Sequence, residues 1–429
     1  MTAAHIALIR FGYGPRLGEP LPDDPAGWLA AQISRHRPAP APSPLPDLGE
    51  GFRLTAERAR MPTAETQRAL NRLVADELAA WCAGCLAAEA PFIERLVAFW
   101  ANHLCISRRA GQVAAFGAGH YVRQAIRPHV LGRFEDMLLA AVRHPAMLRF
   151  LDNAGSIGPN SQVGRRRNRG LNENLAREIL ELHSVTPAAG YTQEDVTEFA
   201  KVLTGWSFDA ETGAFAFRPA AHEPGAKTVM GRRVEEGEEG GIALLRWLAR
   251  HPATHRALAR KLAAHFFADD PDPAIVRAVE GALRDGGGDL GAAARTLISR
   301  PEALSAPLAK LRPPHDLVLA ALRAVGAPPD RALLAVAGMN QLAQPLWSPP
   351  SPKGWPDRIE DWAGPEALLA RADWAFATAG RFARVDAQAA AEAALGRLAR
   401  DSLRREIGRA GSAQDAMTLL LASPEFQRR

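Results

Sequence analysis

The 429-residue chain is 47% hydrophobic and 23% charged, and its formal net charge is +5. These proportions are ordinary for a globular protein, so they exclude the disordered, collagen-like and membrane-embedded classes, and the length gives room for about two or three domains. The small net charge gives no support to nucleic-acid binding. Three cysteines are too few for a disulfide framework.

The N-terminal residues contain neither a basic stretch followed by an apolar one nor a pair of arginines. We therefore predict no signal peptide and, from the sequence as it stands, a cytoplasmic location. No apolar run is long enough to cross a membrane, so we expect no transmembrane segment. Residues 37–48 alternate proline with small residues, which is typical of an extended connector. Residues 1–62 thus form an N-terminal segment that ends with this connector.

Apolar residues recur at helical spacing between residues 63 and 144, with breaks at Pro91, near Gly111 and at Pro128. This pattern predicts four successive helices. The Cys-x-x-C pair falls in the first of them, whereas a redox pair follows a strand and a structural zinc site needs a second pair. We therefore interpret both cysteines as ordinary helix residues.

Residues 152–170 are rich in Gly, Asn, Ser and Arg, which predicts a long polar loop of the kind that often carries function. Residues 171–184 return to a helical pattern. Thr192, followed by acidic residues, predicts the start of a further helix that reaches Trp206. Residues 63–206 are therefore expected to form an N-terminal helical half.

Residues 214–218 and 227–230 alternate or cluster like strands, with Pro and Gly between them. They predict one β-hairpin within an insertion at residues 207–241. Helices resume in a C-terminal half, residues 242–429, and a loop rich in Pro and Trp interrupts them at residues 344–365. The predicted fold is mainly α, a multi-helical body with one small inserted β-hairpin.

The segment NENLAREILELH, residues 172–183, is the first candidate for chemistry. Asn174, Glu178 and Glu181 recur at i, i+4 and i+7, so they share one helix face and could converge on a cation, a sugar or a basic partner. Two carboxylates one turn apart can also divide acid and base roles. The competing interpretation, favoured on sequence alone, is a solvent-exposed face whose glutamates pair with Arg177 or with loop arginines.

Histidines supply further candidates. His103 could face a pocket with Glu178, although a histidine beside an apolar stripe is more often a hydrogen-bonded core residue. His183 lies off the face of the two glutamates, whereas a carboxylate-bridged metal site in a helical bundle expects Glu-x-x-His. We therefore expect His183 to cap or pack, predict no metal site and can name no cofactor.

Several motifs resemble the bacterial domain-of-unknown-function 1800 family over nearly the whole chain. They are RFGYG (10–14), FWANH (99–103), RPH (127–129), HPAML (144–148), NENLAREILELH (172–183), YTQEDV (191–196), LTGW (203–206), His222 with Gly225 and Lys227, and PKGWP (352–356). The resemblance implies no activity. Family members are often exported and encoded beside a sulfatase-like companion, so it implies such a partner and, for this chain, export together with that partner.

The candidate residues together predict a polar cleft. Its catalytic candidates are Glu178, Glu181 and His103, and its ligand-binding candidates are Asn102, Asn172, Asn174, His183, His222, Lys227 and Arg127. The leading hypothesis is a cell-envelope-associated enzyme or a factor that acts on a carbohydrate or an anionic ligand. The alternatives are a non-catalytic binding or assembly partner of the companion protein, suggested by the aromatic loop between Trp347 and Trp362, and a metal-dependent enzyme. The sequence alone selects none of them.

Overall fold

The computed structural model describes residues 2–34, 45–167 and 170–429. Within these residues the predicted mainly helical fold is confirmed, because helices dominate and the strands are four short segments. The predicted proline-rich connector lies mostly in residues 35–44, outside the described part of the chain.

Three helices precede the predicted N-terminal half. They are α1 (Thr2–Phe11), α2 (Pro25–Ser34) and α3 (Leu48–Arg60). Helix α1 is apolar on all sides and buried from Ala4 to Phe11, as expected of a helix inside a core. Its Arg10 guanidinium donates to four backbone carbonyls between residues 302 and 307. These bonds fasten the N-terminal helix to the C-terminal half.

All four helices predicted between residues 63 and 144 are present. They are α4 (Ala64–Ala87), α5 (Pro91–His103), α6 (Gln112–Tyr121) and α7 (Phe134–Arg143). Thr63 caps α4. Pro91 occupies the first turn of α5, where its missing N–H breaks no helical hydrogen bond. Helix α6 continues into a π-helix at Val122–Ile126.

The next four helices frame the segment predicted to carry chemistry. They are α8 (Pro145–Phe150), α9 (Gln162–Arg167), α10 (Asn174–Glu178) and α11 (Gln193–Leu203). The loop predicted at residues 152–170 contains the short helix α9, which begins where Ser161 Oγ accepts the Gly164 N–H at 3.0 Å. The helix predicted over residues 171–184 changes character after Glu178, where a π-helix, Ile179–His183, replaces the α-helical turns.

Helix α11 begins as predicted. Thr192 is its N-cap and exchanges hydrogen bonds with Asp195, three residues later. The helix ends at Leu203, and the chain then turns at Gly205, whose φ is +80°. Trp206 belongs to the first strand rather than to the helix.

The insertion contains two hairpins where one was predicted. Strand β1 (Trp206–Phe208) pairs antiparallel with β2 (Phe215–Phe217), and β3 (Lys227–Val229) pairs with β4 (Arg232–Val234). The two predicted strands therefore pair with different partners and not with each other. Gly213 and Gly231, both at positive φ, close each strand pair locally, which costs less chain entropy than closing the longer connection between residues 218 and 227.

The C-terminal half is helical, as predicted. Its helices are α12 (Glu238–Arg250), α13 (Pro252–Phe266), α14 (Pro273–Asp285), α15 (Leu290–Ser299), α16 (Glu302–Ser305), α17 (Pro314–Ala324), α18 (Ala332–Gln341), α19 (Ile359–Trp362), α20 (Pro365–Arg381), α21 (Ala387–Leu395), α22 (Asp401–Arg409) and α23 (Ala413–Ala422). The predicted Pro- and Trp-rich loop lies between α18 and α20 and contains only the single turn α19.

One continuous hydrophobic core contains residues from both predicted halves, from Ala7 near the N-terminus to Phe426 near the C-terminus. Cys82 and Cys85 lie in this core as residues of α4, and burial raises the pKa of Cys82 to about 12. Among the described residues, no helix combines the length and apolarity that crossing a membrane requires.

Candidate functional site

The three residues predicted to share a face of the 172–183 segment lie at or near the surface. Asn174 and Glu181 are exposed and Glu178 is half-buried. Arg177 does not pair with either of these glutamates, because it bonds Glu173 at 2.8 Å. Within the described part of the chain, Glu178 and Glu181 form no hydrogen bond or ion pair. The structure thus leaves two neighbouring carboxylates without a cationic partner.

Burial and the neighbouring charge of Glu181 both raise the pKa of Glu178, and Arg177 opposes them. Such a carboxyl group holds a proton more readily than an exposed glutamate. The same two glutamates raise the pKa of Tyr191, after the larger effect of burial. Tyr191 therefore lies on the same side of the molecule as the carboxylate pair.

His103 is buried at the end of α5, and both of its ring nitrogens are occupied. Nε2 donates to the carbonyl oxygen of His183 at 3.3 Å, so Nδ1 carries the lone pair and accepts a hydrogen bond from the Lys261 ammonium at 3.2 Å. Lys261 also donates to the Leu182 carbonyl at 2.9 Å. Burial, with the Lys353 charge as a smaller cause, lowers the Lys261 pKa to about 8. His103 therefore has no free nitrogen with which to accept a substrate proton.

His183 packs beside His103, with 5.9 Å between the ring centroids. Only 1% of His183 is exposed, yet neither of its ring nitrogens has a hydrogen-bond partner within the described part of the chain. Burial lowers its pKa to about 3, so the ring is neutral at neutral pH. This position matches the packing role expected from the sequence.

Asn172 acts within its own loop. Its backbone N–H donates to Ser156 Oγ at 3.1 Å, and its side-chain oxygen accepts the backbone N–H of Asn174 at 2.9 Å. The first bond fixes the polar loop to the start of α10, and the second bond orders the first turn of that helix.

His222 and Lys227 form a separate buried cluster in the hairpin insertion. His222 Nδ1 donates to the Thr204 carbonyl at 2.8 Å, and Nε2 accepts from the Gly237 N–H at 3.0 Å and from Lys227 Nζ at 3.3 Å. Lys227 also donates to the carbonyl oxygen of Glu223. These bonds join the end of α11 to both hairpins and use both nitrogens of His222.

Arg127 is half-buried and forms a two-pronged ion pair with Glu94, with both N–O distances at 2.6 Å. Its guanidinium carbon lies 5.8 Å from the centre of the Trp81 ring. Burial lowers the Arg127 pKa, but the hydrogen bonds and the negative charge of Glu94 together outweigh burial and raise that pKa. Arg127 thereby supports one face of Trp81.

Asn102 holds the Pro- and Trp-rich loop against α5. Its side-chain Nδ2 donates to the Trp355 carbonyl at 2.9 Å, and its Oδ1 accepts the Trp355 backbone N–H at 2.8 Å. Cys105 Sγ donates to the Pro352 carbonyl at 3.1 Å, and Ser107 Oγ donates to the Pro349 carbonyl at 3.0 Å. Three side chains of one short segment, Asn102, Cys105 and Ser107, thus bind the same loop.

This loop closes a cavity that we call the tryptophan pocket. The void measures about 780 Å³ out to its open mouth. Its aromatic lining consists of Trp81, Phe99, Trp347 and Trp355. Its polar lining consists of Arg95, Asn102, His265, His315, Asp316, Gln344 and Asp357. Trp347 has a φ of +51°, which is strained for a bulky residue and is held by the bonds of the loop.

A dense network of charges lies behind the pocket. Asp316 accepts from Arg95 at 2.7 Å and lies 2.9 Å from Arg429 Nε. Asp357 pairs with Arg429 at 2.6 Å and with Lys310 at 3.3 Å. Burial raises the pKa of Asp316, but the charges of Arg95 and Arg429 together outweigh burial and hold that pKa well below its usual range. At Asp357 burial is likewise outweighed, and the Arg429 charge is the largest cause that lowers the pKa. Both aspartates are therefore ionised at neutral pH.

Two histidines line the pocket beside these aspartates. His265 Nδ1 donates to Asp357 at 3.0 Å and Nε2 accepts from Arg95 at 3.2 Å, so both of its nitrogens are used. His315 Nδ1 donates to Asp316 at 3.2 Å, which places the lone pair on Nε2. Only the Trp81 N–H approaches that atom, at 3.5 Å. His315 is therefore the lining histidine best placed to accept a proton.

A model of one protein family, described as a protein of unknown function (DUF1800), matches residues 6–428. This chain belongs to the DUF1800 family. No curated protein and no solved structure matches it.

In this DUF1800 chain, the motifs that carried the resemblance meet in space. FWANH supplies Phe99 and Asn102 to the tryptophan pocket, and PKGWP supplies Trp355 and Pro356. The last residue of FWANH also bonds the last residue of NENLAREILELH. The pocket and the segment first predicted to carry chemistry are thus joined through α5.

Most polar residues of the pocket were not among the predicted site residues. Arg95, His315 and Asp316 lie in helical stretches that look amphipathic in the DUF1800 sequence, and no local pattern marks them. The signal that could have pointed to the pocket is the PKGWP motif together with the density of Trp and Pro in its loop, which from the sequence alone suggested an assembly surface. Among the described residues, no three His, Cys, Asp or Glu side chains are grouped so that they could hold a metal ion.

Proposed function

We propose that the chain binds an anionic carbohydrate in the tryptophan pocket. The observation that carries this proposal is the combination of aromatic walls with two buried N–H donors, Trp355 Nε1 and Arg95 Nε, that have no acceptor among the described residues. A buried donor without an acceptor is costly, and a ligand oxygen would supply the acceptor.

The walls suit a sugar ring. Indole faces are flat and apolar, and a pyranose presents C–H groups on one or both of its faces. Trp81 and Trp347 meet at 68° with 5.7 Å between centroids, which forms a corner rather than a flat stack. A small number of polar groups in a mainly apolar pocket is the usual composition of a ligand site.

The charge behind the pocket favours an anionic group on that sugar. Among the described side chains of the network behind the pocket, the buried cations are Arg95, Lys310, Arg312 and Arg429, and the carboxylates that face them are Asp269, Asp316 and Asp357. Four cations against three carboxylates leave one positive charge in excess within this network. No described residue forms an ion pair with Arg312 or a hydrogen bond with its Nη1, so Arg312 is the cation without a carboxylate of its own. A carboxylate, sulfate or phosphate group would neutralise this excess.

The pocket is preformed. Asn102, Cys105 and Ser107 bond five backbone groups of the closing loop through side chains of one chain segment. A site that is already ordered loses little conformational freedom when it binds. Binding should therefore leave the loop where it is.

The second candidate function is hydrolysis in the same pocket, which the geometry of His315 favours. Asp316 orients the ring and keeps Nε2 as a proton acceptor beside Trp81. A histidine oriented by a buried carboxylate is a common general base. Loss of turnover in His315→Gln with ligand binding intact would support this candidate.

The envelope location and the sulfatase-like companion remain proposals that rest on the family resemblance. The aromatic loop that suggested an assembly surface is mostly turned inward, because Trp362 is buried and Trp347 and Trp355 are half-buried. Large apolar side chains are exposed instead on α20, at Leu368, Leu369 and Phe376. Co-purification of a tagged chain with the companion, repeated with Leu369→Glu, tests the assembly role.

Isothermal titration calorimetry tests the binding proposal. We would titrate the full chain with trigalacturonate, a chondroitin sulfate tetrasaccharide and neutral maltotetraose. At least one acidic sugar should bind and maltotetraose should bind more weakly. Trp355→Phe keeps an aromatic ring but removes the indole N–H together with the smaller ring that carries it, so the affinity should fall about tenfold, as expected for the loss of a hydrogen bond to a charged group.

The matched control is Trp28→Phe, which makes the same change in α2, outside the pocket. Its affinity should equal that of the unchanged chain. Equal affinity in Trp355→Phe, or absence of binding to every acidic sugar, would refute the proposal.

A further inference from the structure

A second concave site lies away from the tryptophan pocket, and we call it the aromatic recess. It is lined by Tyr191, Asp195, Met230, Trp247 and His251, with small residues between them. The void measures about 700 Å³ including its open mouth. The N-terminus of α11, the turn between β3 and β4, and the junction of α12 with α13 meet there.

The backbone around the recess is fixed. Asp195 Oδ1 accepts the backbone N–H of Met230 at 2.6 Å, and its Oδ2 accepts from Thr192. Met230 has a φ of +50°, an uncommon value for a residue with a long side chain. One carboxylate thus caps a helix and holds a strained hairpin turn, which keeps the two walls of the recess together.

His251 provides the recess with a hydrogen-bond donor, and its contact with α13 determines which ring nitrogen carries the proton. Its Nδ1 accepts the backbone N–H of Ala253 at 3.2 Å and caps α13, so a neutral ring must carry its proton on Nε2. Burial lowers the pKa of His251, which keeps the ring neutral. Among the described residues, Nε2 has no acceptor. A ligand hydroxyl is the kind of group that such a donor binds.

Trp247 supplies an aromatic surface beside that donor. Its ring centroid lies 5.3 Å from that of His251, at an angle of 71°. It is half-buried, and the exposed Arg232 lies over it with Cζ 5.7 Å from the centroid. The Arg232 side chain projects from a short hairpin and can move aside at little cost.

The polarity of the aromatic recess differs from that of the tryptophan pocket. Among the described residues that line the recess, the one carboxylate is Asp195, which already accepts backbone and hydroxyl hydrogen bonds through both oxygens. The other polar groups of the lining are the Tyr191 hydroxyl and the His251 N–H, which are neutral, and the Arg232 cation covers Trp247 from outside the lining. A recess of rings and neutral donors matches hydroxyl groups rather than ionised ones.

We propose that the aromatic recess binds a neutral pyranose, whose ring stacks on Trp247 and whose hydroxyl accepts the His251 Nε2–H. This inference does not depend on what the tryptophan pocket binds. It gives the chain a second sugar-binding site of different specificity.

Calorimetric titration with cellohexaose, mannohexaose and chitohexaose tests the inference on the full chain. At least one of these neutral oligosaccharides should bind. His251→Asp replaces the imidazole with a carboxylate that can still accept the capping hydrogen bond of α13 but cannot donate to a ligand. Trp247→Ala removes the stacking surface. Each should weaken binding about tenfold, whereas Trp355→Phe should leave it unchanged.

The outcomes separate the two sites. If none of the three oligosaccharides binds, the proposed sugar site in the aromatic recess is refuted, whether or not the acidic sugars bind. If a neutral oligosaccharide binds, but Trp355→Phe weakens that binding and His251→Asp leaves it unchanged, the sugar lies in the tryptophan pocket. That result also refutes the proposed site in the recess. If Trp247→Ala does not fold, as circular dichroism would show, His251→Asp alone decides the question.

Discussion

Two asparagines that the sequence placed in the same predicted cleft have opposite environments. Asn102 makes both of its side-chain hydrogen bonds to the backbone of Trp355, whereas the Asn174 side chain is exposed and makes none within the described residues. The two environments differ because Asn102 meets a partner that is distant in sequence, since 253 residues separate it from Trp355. Side-chain type alone does not reveal such partners.

We therefore predict that Asn102→Ala destabilises the protein by about 1–3 kcal/mol, because it leaves two backbone groups of Trp355 without partners. Urea unfolding followed by far-UV circular dichroism measures the change. Asn174→Ala is the matched control and should change the free energy of unfolding by less than about 0.5 kcal/mol. Equal effects of the two substitutions would contradict the assigned role of Asn102.

Glu178 and Glu173 make a second matched pair. The pKa of Glu178 is raised by burial and Glu181, and the pKa of Glu173 is lowered by its bond to Thr197, with Gln193 and Arg177 also contributing. A carboxyl group with a raised pKa in the folded chain binds its proton more tightly there than in the unfolded chain. Ionising Glu178 therefore reduces stability as the pH rises above the ordinary glutamate value of about 4.3.

Glu178→Gln should consequently raise the free energy of unfolding at pH 7 and leave it nearly unchanged at pH values where the carboxyl group is protonated. Glu173→Gln should lower the free energy of unfolding at pH 7. The lowered pKa of Glu173 contributes stability at pH values above the ordinary glutamate pKa, and this contribution is lost as the pH falls. Urea unfolding of both variants across the acidic and neutral range measures these changes. A loss of stability in Glu178→Gln at pH 7 would mean that this carboxylate has a stabilising partner after all.

At the scale of elements, a pair of histidines holds the start of α8. His144 Nδ1 accepts the Ala146 N–H at 3.1 Å, so its Nε2 donates to His120 Nδ1 at 3.0 Å. Burial lowers the pKa of His144 well below its usual range and that of His120 to about 4. Both rings are neutral in the folded chain at neutral pH. Protonating His120 at Nδ1 breaks the bond between the rings, and protonating His144 at Nδ1 breaks its bond to the Ala146 N–H.

This pair should make stability depend on pH. In the unfolded chain both histidines titrate near about 6.5, so between that value and the folded-state values the unfolded chain binds protons that the folded chain does not. The free energy of unfolding therefore falls as the pH falls through this interval. His144→Asn keeps a capping side chain and removes one titrating group, and should make that fall shallower in urea unfolding measured at a series of pH values.

Asp272→Asn provides the control, because Asp272 caps α14 through the same contact to a backbone N–H two residues later. It alters a cap without removing a histidine, so the slope between pH 6.5 and 4 should match that of the unchanged chain. An unchanged slope in His144→Asn would exclude the histidine pair as a source of acid sensitivity.

The elements themselves were predictable to the extent that their signals are local. Pro91, Thr192 and the helical spacing between residues 63 and 144 set helix positions by short-range sterics and capping, and the structure places those helices as predicted. The π-helix after Glu178 and the separation of the insertion into two hairpins depend on what packs against those segments. Neither leaves a periodic signal in the sequence.

At the scale of the whole molecule, the same distinction explains why the tryptophan pocket was missed. Its lining comes from α4, α5 and α13, from the start of α17 and from the loop before α19. Periodicity predicted α4 and α5 and a helical C-terminal half, and composition predicted the loop, but only the packing of distant elements brings Arg95 and Asp316 together across 221 residues. The division into segments 1–62, 63–206, 207–241 and 242–429 stays a prediction, and one continuous core connects the second segment to the fourth.

Arg429 joins the charges of this assembly. Only 1% of its side chain is exposed. It donates to the His265 carbonyl and to Asp357, both at 2.6 Å, and its Nε lies 2.9 Å from Asp316. Its backbone also pairs with that of Lys310. Three pocket-lining residues thus depend on one arginine.

Arg429→Ala should lower the free energy of unfolding by about 3–5 kcal/mol, because removing one member of a buried ionic network leaves the remaining carboxylates undercompensated in a poorly hydrated interior. Arg429→Lys should recover only part of the loss, since an ammonium group lacks the planar fork that contacts three groups at once. Urea unfolding measures both. The neighbouring Arg428 is exposed and bonds one carbonyl, so Arg428→Ala should cost less than about 0.5 kcal/mol and serves as the control. If the two alanine variants proved equally stable, the pocket would have to be held by Arg95 and Lys310 without Arg429.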